Sequence, residues 1–374
     1  MRRLSQYWWL ISIIISTIFY SCTLKQQIQI EKEPLTINKV AVKPAAFNPK
    51  KGEKVKISYF LSKKAYVTIK VFDPDCGLIN TIVDNKLENK GINKHYWDGK
   101  DMDGNVVPNQ AYFFTIEAKD KAGNIVVYDP TIFSGGEEED IVDINIDEEA
   151  GTVSFRLPKP AWVLGRVGIK GGPLLKTLID WEPRPAGENI IFWDGYDESK
   201  VVKVTDLPGY SMMITTMAFS ENSVIIFGNK DIDYLTYKTQ IAKGREKKEK
   251  RLRKIQENTS ISKHYKLSRV FDHAPKFSVS ILGEEGRKNN IPIIGDQCLV
   301  RVELLKNKEF ITGQRFEIAF YLDYQLYAEE EEGYTPYNWR WDTSGIPSGR
   351  HVLTVNVVTL GDRVGAQSLI FIRK

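Results

Sequence analysis

The chain has 374 residues, of which 42% are apolar, 27% charged and 11% aromatic. That is the composition of folded, core-forming protein, and at roughly 100 to 200 residues per domain the length predicts several domains rather than one compact fold. A formal net charge of +4 is too small to mark a nucleic-acid binder, and three Cys with four His leave little material for a zinc site or a disulfide framework. At the amino terminus, Met1-Arg2-Arg3 is basic and Tyr7 to Tyr20 is a nearly uncharged run. It is shorter than the roughly 20 residues a spanning helix needs, and it reads as the core of a signal peptide occupying residues 1–22.

The run ends in Phe19-Tyr20-Ser21-Cys22, and the chain then turns polar. This junction resembles the lipobox of bacterial lipoproteins, in which a Cys after a small residue is lipidated and becomes the mature N-terminus. Ser21 and Cys22 fit, whereas Phe19 and Tyr20 are bulkier than the usual residues. The resemblance implies lipidation at Cys22 and a membrane-anchored place in the bacterial cell envelope, facing the periplasm or the exterior. An uncleaved short anchor, or cleavage elsewhere with release, stays open.

Sliding the sequence by 96 positions aligns Ile57 to Asp101 with Val153 to Asp197 without a gap. Identical pairs include Leu61/Leu157, Ala65/Ala161, Val67/Val163, Leu78/Leu174, Gly91/Gly187 and Asn93/Asn189, and the run closes on Trp97-Asp98-Gly99 against Trp193-Asp194-Gly195. Two copies of one domain follow, at residues 37–132 and 141–228. In the first copy, Lys54 to Phe60 and Ala65 to Phe72 alternate in polarity and are rich in β-branched and aromatic residues. Asp103-Gly104 is a hairpin signal before the strand Ala111 to Ala118. The second copy repeats the pattern through Val153 to Leu157, Trp162 to Ile169 and Met212 to Phe219.

Gly135 to Asp140 reads as a flexible acidic joint between the copies. Residues 229–275 read as a charged linker, helical over Thr239 to Glu257, where mixed charges recur at i,i+4 spacing with few apolar residues. A solvated linker helix or a disordered spacer is the plain reading of that stretch; a basic patch for anionic polymer or lipid headgroups, centred on Lys247 to Lys254, is the other. From 276 to 374 β patterning resumes, with a third Trp-Asp at Trp341-Asp342-Thr343. Short strands with little helical periodicity predict an all-β chain of three immunoglobulin-like antiparallel β-sandwiches in tandem, with a short charged helical linker before the last.

A Trp-Asp-Gly after a strand has a structural meaning: the indole anchors the core, the Asp accepts amides of the next turn, and Gly supplies a positive φ. Phe47-Asn48-Pro49, Trp97-Asp98-Gly99, Asp103-Gly104, Val107-Pro108 and Tyr112 together resemble the Ig-like domain of the flagellar hook-capping protein. The last domain is similar to bacterial Ig-like modules through Asp323, Pro336-Tyr337, Trp341-Asp342-Thr343 and Gly349-Arg350-His351. These resemblances imply binding, spacer or assembly modules with no catalytic residues, and nothing else in the chain supports a flagellar role.

Asp98 to Asn105 hints at a calcium loop, but aligning Gly104 with the required glycine puts Gly99 and Gln110 where acidic ligands belong. Asp272-His273 has no nucleophile or metal-binding His spacing beside it, Cys76 and Cys298 read as free thiols, and Glu329 to Glu332 reads as a solvated loop. No metal, cofactor or nucleic-acid partner is expected. The sequence therefore points to a non-catalytic, envelope-anchored binding or assembly scaffold, a membrane protein by its lipid, with envelope proteins or polysaccharide as partners. An accessory subunit of an extracytoplasmic enzyme or transport complex is the alternative, and oligomeric state is open.

Overall fold

The computed structural model describes residues 33–245, 274–306, 311–313, 315–359 and 363–374. The signal peptide with Cys22, the basic stretch Lys247 to Lys254 and Asp272-His273 lie outside the described residues. Three two-sheet β-sandwiches account for nearly all of what is described.

In the first, β1 (Ile37–Lys43), β3 (Val55–Leu61) and β6 (Gly91–Trp97) form a three-stranded sheet. It faces a larger sheet holding β2 (Ala46–Phe47), β4 (Ala65–Phe72), β5 (Leu78–Glu88), β7 (Gln110–Lys119) and β8 (Ile125–Tyr128). Alternation sets the faces: Val55, Ile57, Tyr59 and Leu61 of β3 are buried against Val67, Ile69, Trp97 and Phe114, and the residues between them point away. The second sandwich pairs β9 (Glu138–Ile141), β12 (Ala161–Ile169), β13 (Leu174–Arg184) and β15 (Tyr210–Ala218) with β10 (Ile144–Asp147), β11 (Thr152–Leu157) and β14 (Gly187–Phe192).

The two copies share more than strand order. β4 pairs with β5, and β12 with β13, in registers displaced by 96 residues throughout, irregularities included: Ile69 faces Val83 and Gly165 faces Ile179. The positive φ of Asn85 recurs at Trp181, and that of Gly99 at Gly195. Trp97 Nε1 donates to Lys100 O and Trp193 Nε1 to Tyr196 O, both at 2.9 Å.

Three readings of the sequence need correction. Gly135 to Asp140 is not simply a flexible joint, because Glu138–Ile141 forms β9 and pairs with β15, with Thr215 Oγ1 donating to Asp140 Oδ1 at 2.7 Å. Nor does the segment before 228 stay in the second copy. Strand β16 (Val224–Ile226) returns to the first sandwich, parallel to β2 and antiparallel to β7. Its backbone needs close approach: Gly228 has φ +84°, and a Cβ there would meet the Asn48 amide at 2.1 Å. The charged helix also begins earlier than expected and is docked rather than solvated, its described part covering Thr239 to Arg245 of the expected stretch. Helix α1 (Tyr234–Arg245) starts after Asp233, which caps Thr236 N at 2.9 Å, and Tyr237 is buried in the first core.

The third sandwich sets β17 (Phe277–Leu282), β20 (Gln297–Leu304) and β23 (Tyr337–Asp342) against β18 (Gly286–Lys288), β19 (Ile291–Ile294), β21 (Phe316–Leu322), β22 (Gln325–Glu330), β24 (Gly349–Thr359) and β25 (Arg363–Arg373). Glu329 and Glu330 thus end a strand rather than lie in a loop. Among the described residues no helix is long and apolar enough to cross a membrane.

Because Trp97, Trp193 and Trp341 are each buried in a separate core, replacing any of them with Ala should cost about 3–5 kcal/mol. Denaturant unfolding of the three single variants checks this, and midpoints equal to the wild type would contradict it.

Candidate functional site: loop carboxylates, joints and outward sheet faces

The buried carboxylates serve turns. Asp101 Oδ1 accepts the amides of Asp103 and Asn105 at 3.0 and 2.9 Å, and Asp120 Oδ1 accepts those of Ala122 and Asn124 at the same two distances in reverse order. Asp73 does the same for Asp75 and Gly77, and Asp197, at the 96-residue counterpart of Asp101, for Val201 and Val202. Each Asp thereby closes a tight loop by satisfying two amides that no strand partner reaches. The repeated Asp-x-x-Gly-Asn at 101–105 and 120–124 carried this signal in the sequence.

The Trp-Asp sites are built differently from one another. Asp194 Oδ1 accepts Tyr196 N at 3.2 Å and Asp342 Oδ1 accepts Ser344 N at 3.0 Å. Asp98 instead lies 3.8 Å from Lys100 Nζ, and in the loop that follows it is Asp101 that accepts amides, those of Asp103 and Asn105. Trp341 Nε1 is buried without an acceptor among the described residues, and its ring lies in an aromatic row with Trp339, Tyr327 and Phe371. Tyr337 begins β23 half-buried, and Tyr334 is exposed beside it at 5.1 Å between centroids.

Helix α1 is fastened through the same loops. Lys238 Nζ reaches Asp73 Oδ2 at 2.7 Å, Tyr234 donates to Asp75 at 2.8 Å, and Tyr237 donates to Asp101 Oδ2 at 3.0 Å. Burial raises the Asp73 carboxyl above its ordinary value against the opposing pull of Lys238. Burial also pushes the neighbouring free thiol of Cys76 up to about 11; Cys298, the other free thiol here, is raised likewise.

Two tryptophans of the second sandwich make its joints. Trp162 Nε1 donates to Gln110 Oε1 of the first sandwich at 2.7 Å, in an apolar cluster with Ala111, Met217, Phe219 and Ile225. Trp181 packs against that cluster, and the Arg363 guanidinium of the third sandwich sits 5.0 Å from its ring centroid. Nearby, Leu174 and Asn356 exchange two 2.9 Å hydrogen bonds, and Ser199 Oγ bridges Ser368 N and the Gln367 side chain. In the first copy the matching positions are Tyr66 and Asn85, both exposed. The divergence is visible in the repeat itself, where Tyr66 aligns with Trp162 and Asn85 with Trp181.

Two histidine constellations are structural. His95 lies 3.3 Å from Tyr59 OH and 3.4 Å from Glu88, its ring stacked on Tyr59 inside the first sandwich, and burial lowers its pKa. His351 places Nδ1 at 2.6 Å from Asp323 Oδ2 and Nε2 at 2.9 Å from Pro347 O. Both neighbours are acceptors, so the arrangement calls for the imidazolium. Among the described residues no group of three or more His, Cys, Asp and Glu is placed to hold a metal ion.

No family model matches the chain, and no curated protein matches it. Among solved structures it is similar to FlgD from P. aeruginosa, at 16% identity over 41% of this chain and 95% of that one, TM-score 0.21. It is also similar to a bacterial ice-binding adhesin, at 10% identity over 91% of this chain and 98% of that one, TM-score 0.19. A central fibronectin-III array of RIM-binding protein gives 8% identity, the same coverages and TM-score 0.19. Likenesses this distant carry no argument about what the chain does, and the fold stands on its strand pairings.

The His351 clasp has a defined pH dependence. Burial alone would lower its pKa, but the bonds to Asp323 and Pro347 raise it above the ordinary 6.5. A raised folded value means that the clasp's stabilisation is fully present below the unfolded value and is lost as pH rises through the folded one. Wild type should therefore exceed His351→Leu in stability most at about pH 5 and least at about pH 8. Chemical denaturation across that range checks it, and a pH-independent difference would contradict it.

Proposed function

We propose that the protein is a non-catalytic binding or assembly scaffold, anchored to the cell envelope at Cys22, in which two Ig-like repeats and a third sandwich are locked together. The observation that carries this reading is the pair of joints at Trp162 and Trp181. A string of independent spacers has no use for a buried indole bonded to a neighbouring module. Such a bond fixes relative orientation, because breaking it strands a buried donor at a cost of about 1–3 kcal/mol. The carboxylates that are deeply buried satisfy loop amides or hold α1, which supports presentation of surfaces rather than chemistry. Outward sheet faces, edges and loops such as that of Tyr334 are the surfaces such a scaffold offers to envelope proteins or polysaccharide.

The test restores the first-copy residues at the joints, Trp162→Tyr with Trp181→Asn. Each sandwich should keep its fold, while coupled thermal unfolding separates into resolved transitions and proteolysis between sandwiches accelerates. Unchanged coupling and unchanged proteolysis would refute the locked scaffold.

A further inference from the structure

The three sandwiches each expose the outer face of a three-stranded sheet, and these faces differ in charge. In the first, antiparallel registers set the outward residues in three rows: Lys43, Lys56 and Tyr96; Ala41, Ser58 and Lys94; Asn38, Phe60 and Ile92. Lys39, at a bulge in β1, joins them with its ammonium 5.9 Å from the Phe60 ring centroid. These paired rows thus carry four lysines and no carboxylate, Asp98 beyond the last row lying 3.8 Å from Lys100 Nζ, and among the described residues none of the four lysines is ion-paired. Ile92 and Tyr96 are 68% and 60% exposed in its midst.

The other two faces serve as internal controls. The second presents Asp147, Thr152 and Phe192, then Asn145, Ser154 and Ile190, then Arg156 and Glu188. The third balances Arg301 and Arg340 with Glu303 and Asp342. At the 96-residue offset, Lys56 has become Thr152, Lys94 has become Ile190 and Ile92 has become Glu188. Uniform positive charge is therefore a property of the first face and not of the fold.

We infer that the outer face of the β1-β3-β6 sheet docks flat on an anionic lipid surface, with the four lysines on headgroups and Tyr96 and Ile92 at the interface. Clustered lysines near a membrane are attracted by anionic lipid, and exposed aromatic and aliphatic side chains favour the headgroup boundary. The choice of a membrane over a soluble polyanion rests on the reading of Cys22 as the anchor. Only 14 residues separate Cys22 from Ile37, the start of β1. Even fully extended they reach about 50 Å, so the first sandwich is the module held nearest the bilayer. Two weak attachments, an acyl chain and a basic face, make a stable one.

The experiment uses the mature chain from Thr23 to Lys374, which lacks both Cys22 and the apolar run Tyr7 to Tyr20, so that vesicle binding is independent of acylation and of the signal peptide; fatty-acid labelling of the wild type tests the anchor separately. Vesicles of 30% phosphatidylglycerol in phosphatidylcholine should retain the protein, vesicles of phosphatidylcholine alone should not, and added salt should release it. With each lysine contributing about fivefold, changing Lys39, Lys43, Lys56 and Lys94 to Gln should lower the partition coefficient more than a hundredfold. Arg156→Gln and Arg340→Gln on the other faces should leave it unchanged. If the fourfold variant fails to fold, Lys43→Gln with Lys94→Gln should still give a loss of about 25-fold. Equal binding by the lysine variants, equal binding to both vesicle types, or retention on polyphosphate without retention on vesicles would overturn the proposal.

Discussion

Packing of two indoles on one hairpin of the second sandwich, Trp162 fully and Trp181 partly buried, governs how this molecule is put together. Trp162 lies on β12 and Trp181 on β13, and between them they reach both neighbouring sandwiches. Trp162 is 1% exposed while its first-copy counterpart Tyr66 is 37% exposed, so a position that faces solvent in one repeat is a packing centre in the other. An indole excluded from water contributes a few kcal/mol of apolar transfer, and an acceptor for its N–H adds to this and fixes its orientation. Gln110 supplies it, and that bond fixes β7 against β12 more specifically than apolar contact would.

Around this centre the chain doubles back. After leaving the second sandwich it adds β16 to the first, and Ile225 enters the same cluster as Trp162. Asn229 then donates to Val106 O and Val107 O, and α1 closes on the Asp73 and Asp101 loops. The first sandwich is thus completed by residues 96 or more positions beyond the end of its own last strand, β8. The returning strand ties the first sandwich to the second at a point besides the Trp162 joint, which restrains their relative orientation as a presenting scaffold needs.

Much of the fold was legible because β-sandwich cores obey a period of two, and because a duplicated sequence shows its own strand spacing. At 97–99 and 193–195 the buried Trp and positive-φ Gly follow the local pattern, whereas the expected turn-capping role of the Asp appears at Asp194 and not at Asp98. What escaped was non-local. Val224–Ile226 is a three-residue apolar segment whose partner strands, β2 and β7, nothing in its own neighbourhood identifies. Charges in the helical region suggested a solvated element, yet Tyr234, Tyr237 and Lys238 carry the docking. The lysine face is visible only once register places β1, β3 and β6 side by side, since its members are spread from Lys39 to Tyr96.

The central claim is that residues 224–226 belong energetically to the first sandwich and lock it to the second. Native-state hydrogen exchange on a Trp193→Ala protein, whose second core is weakened, tests that most directly. The account predicts that the Val224–Ile226 amides keep the protection of their partners in β7 while those of β15 lose theirs. Exchange of the 224–226 amides at the accelerated rate of β15 would contradict it.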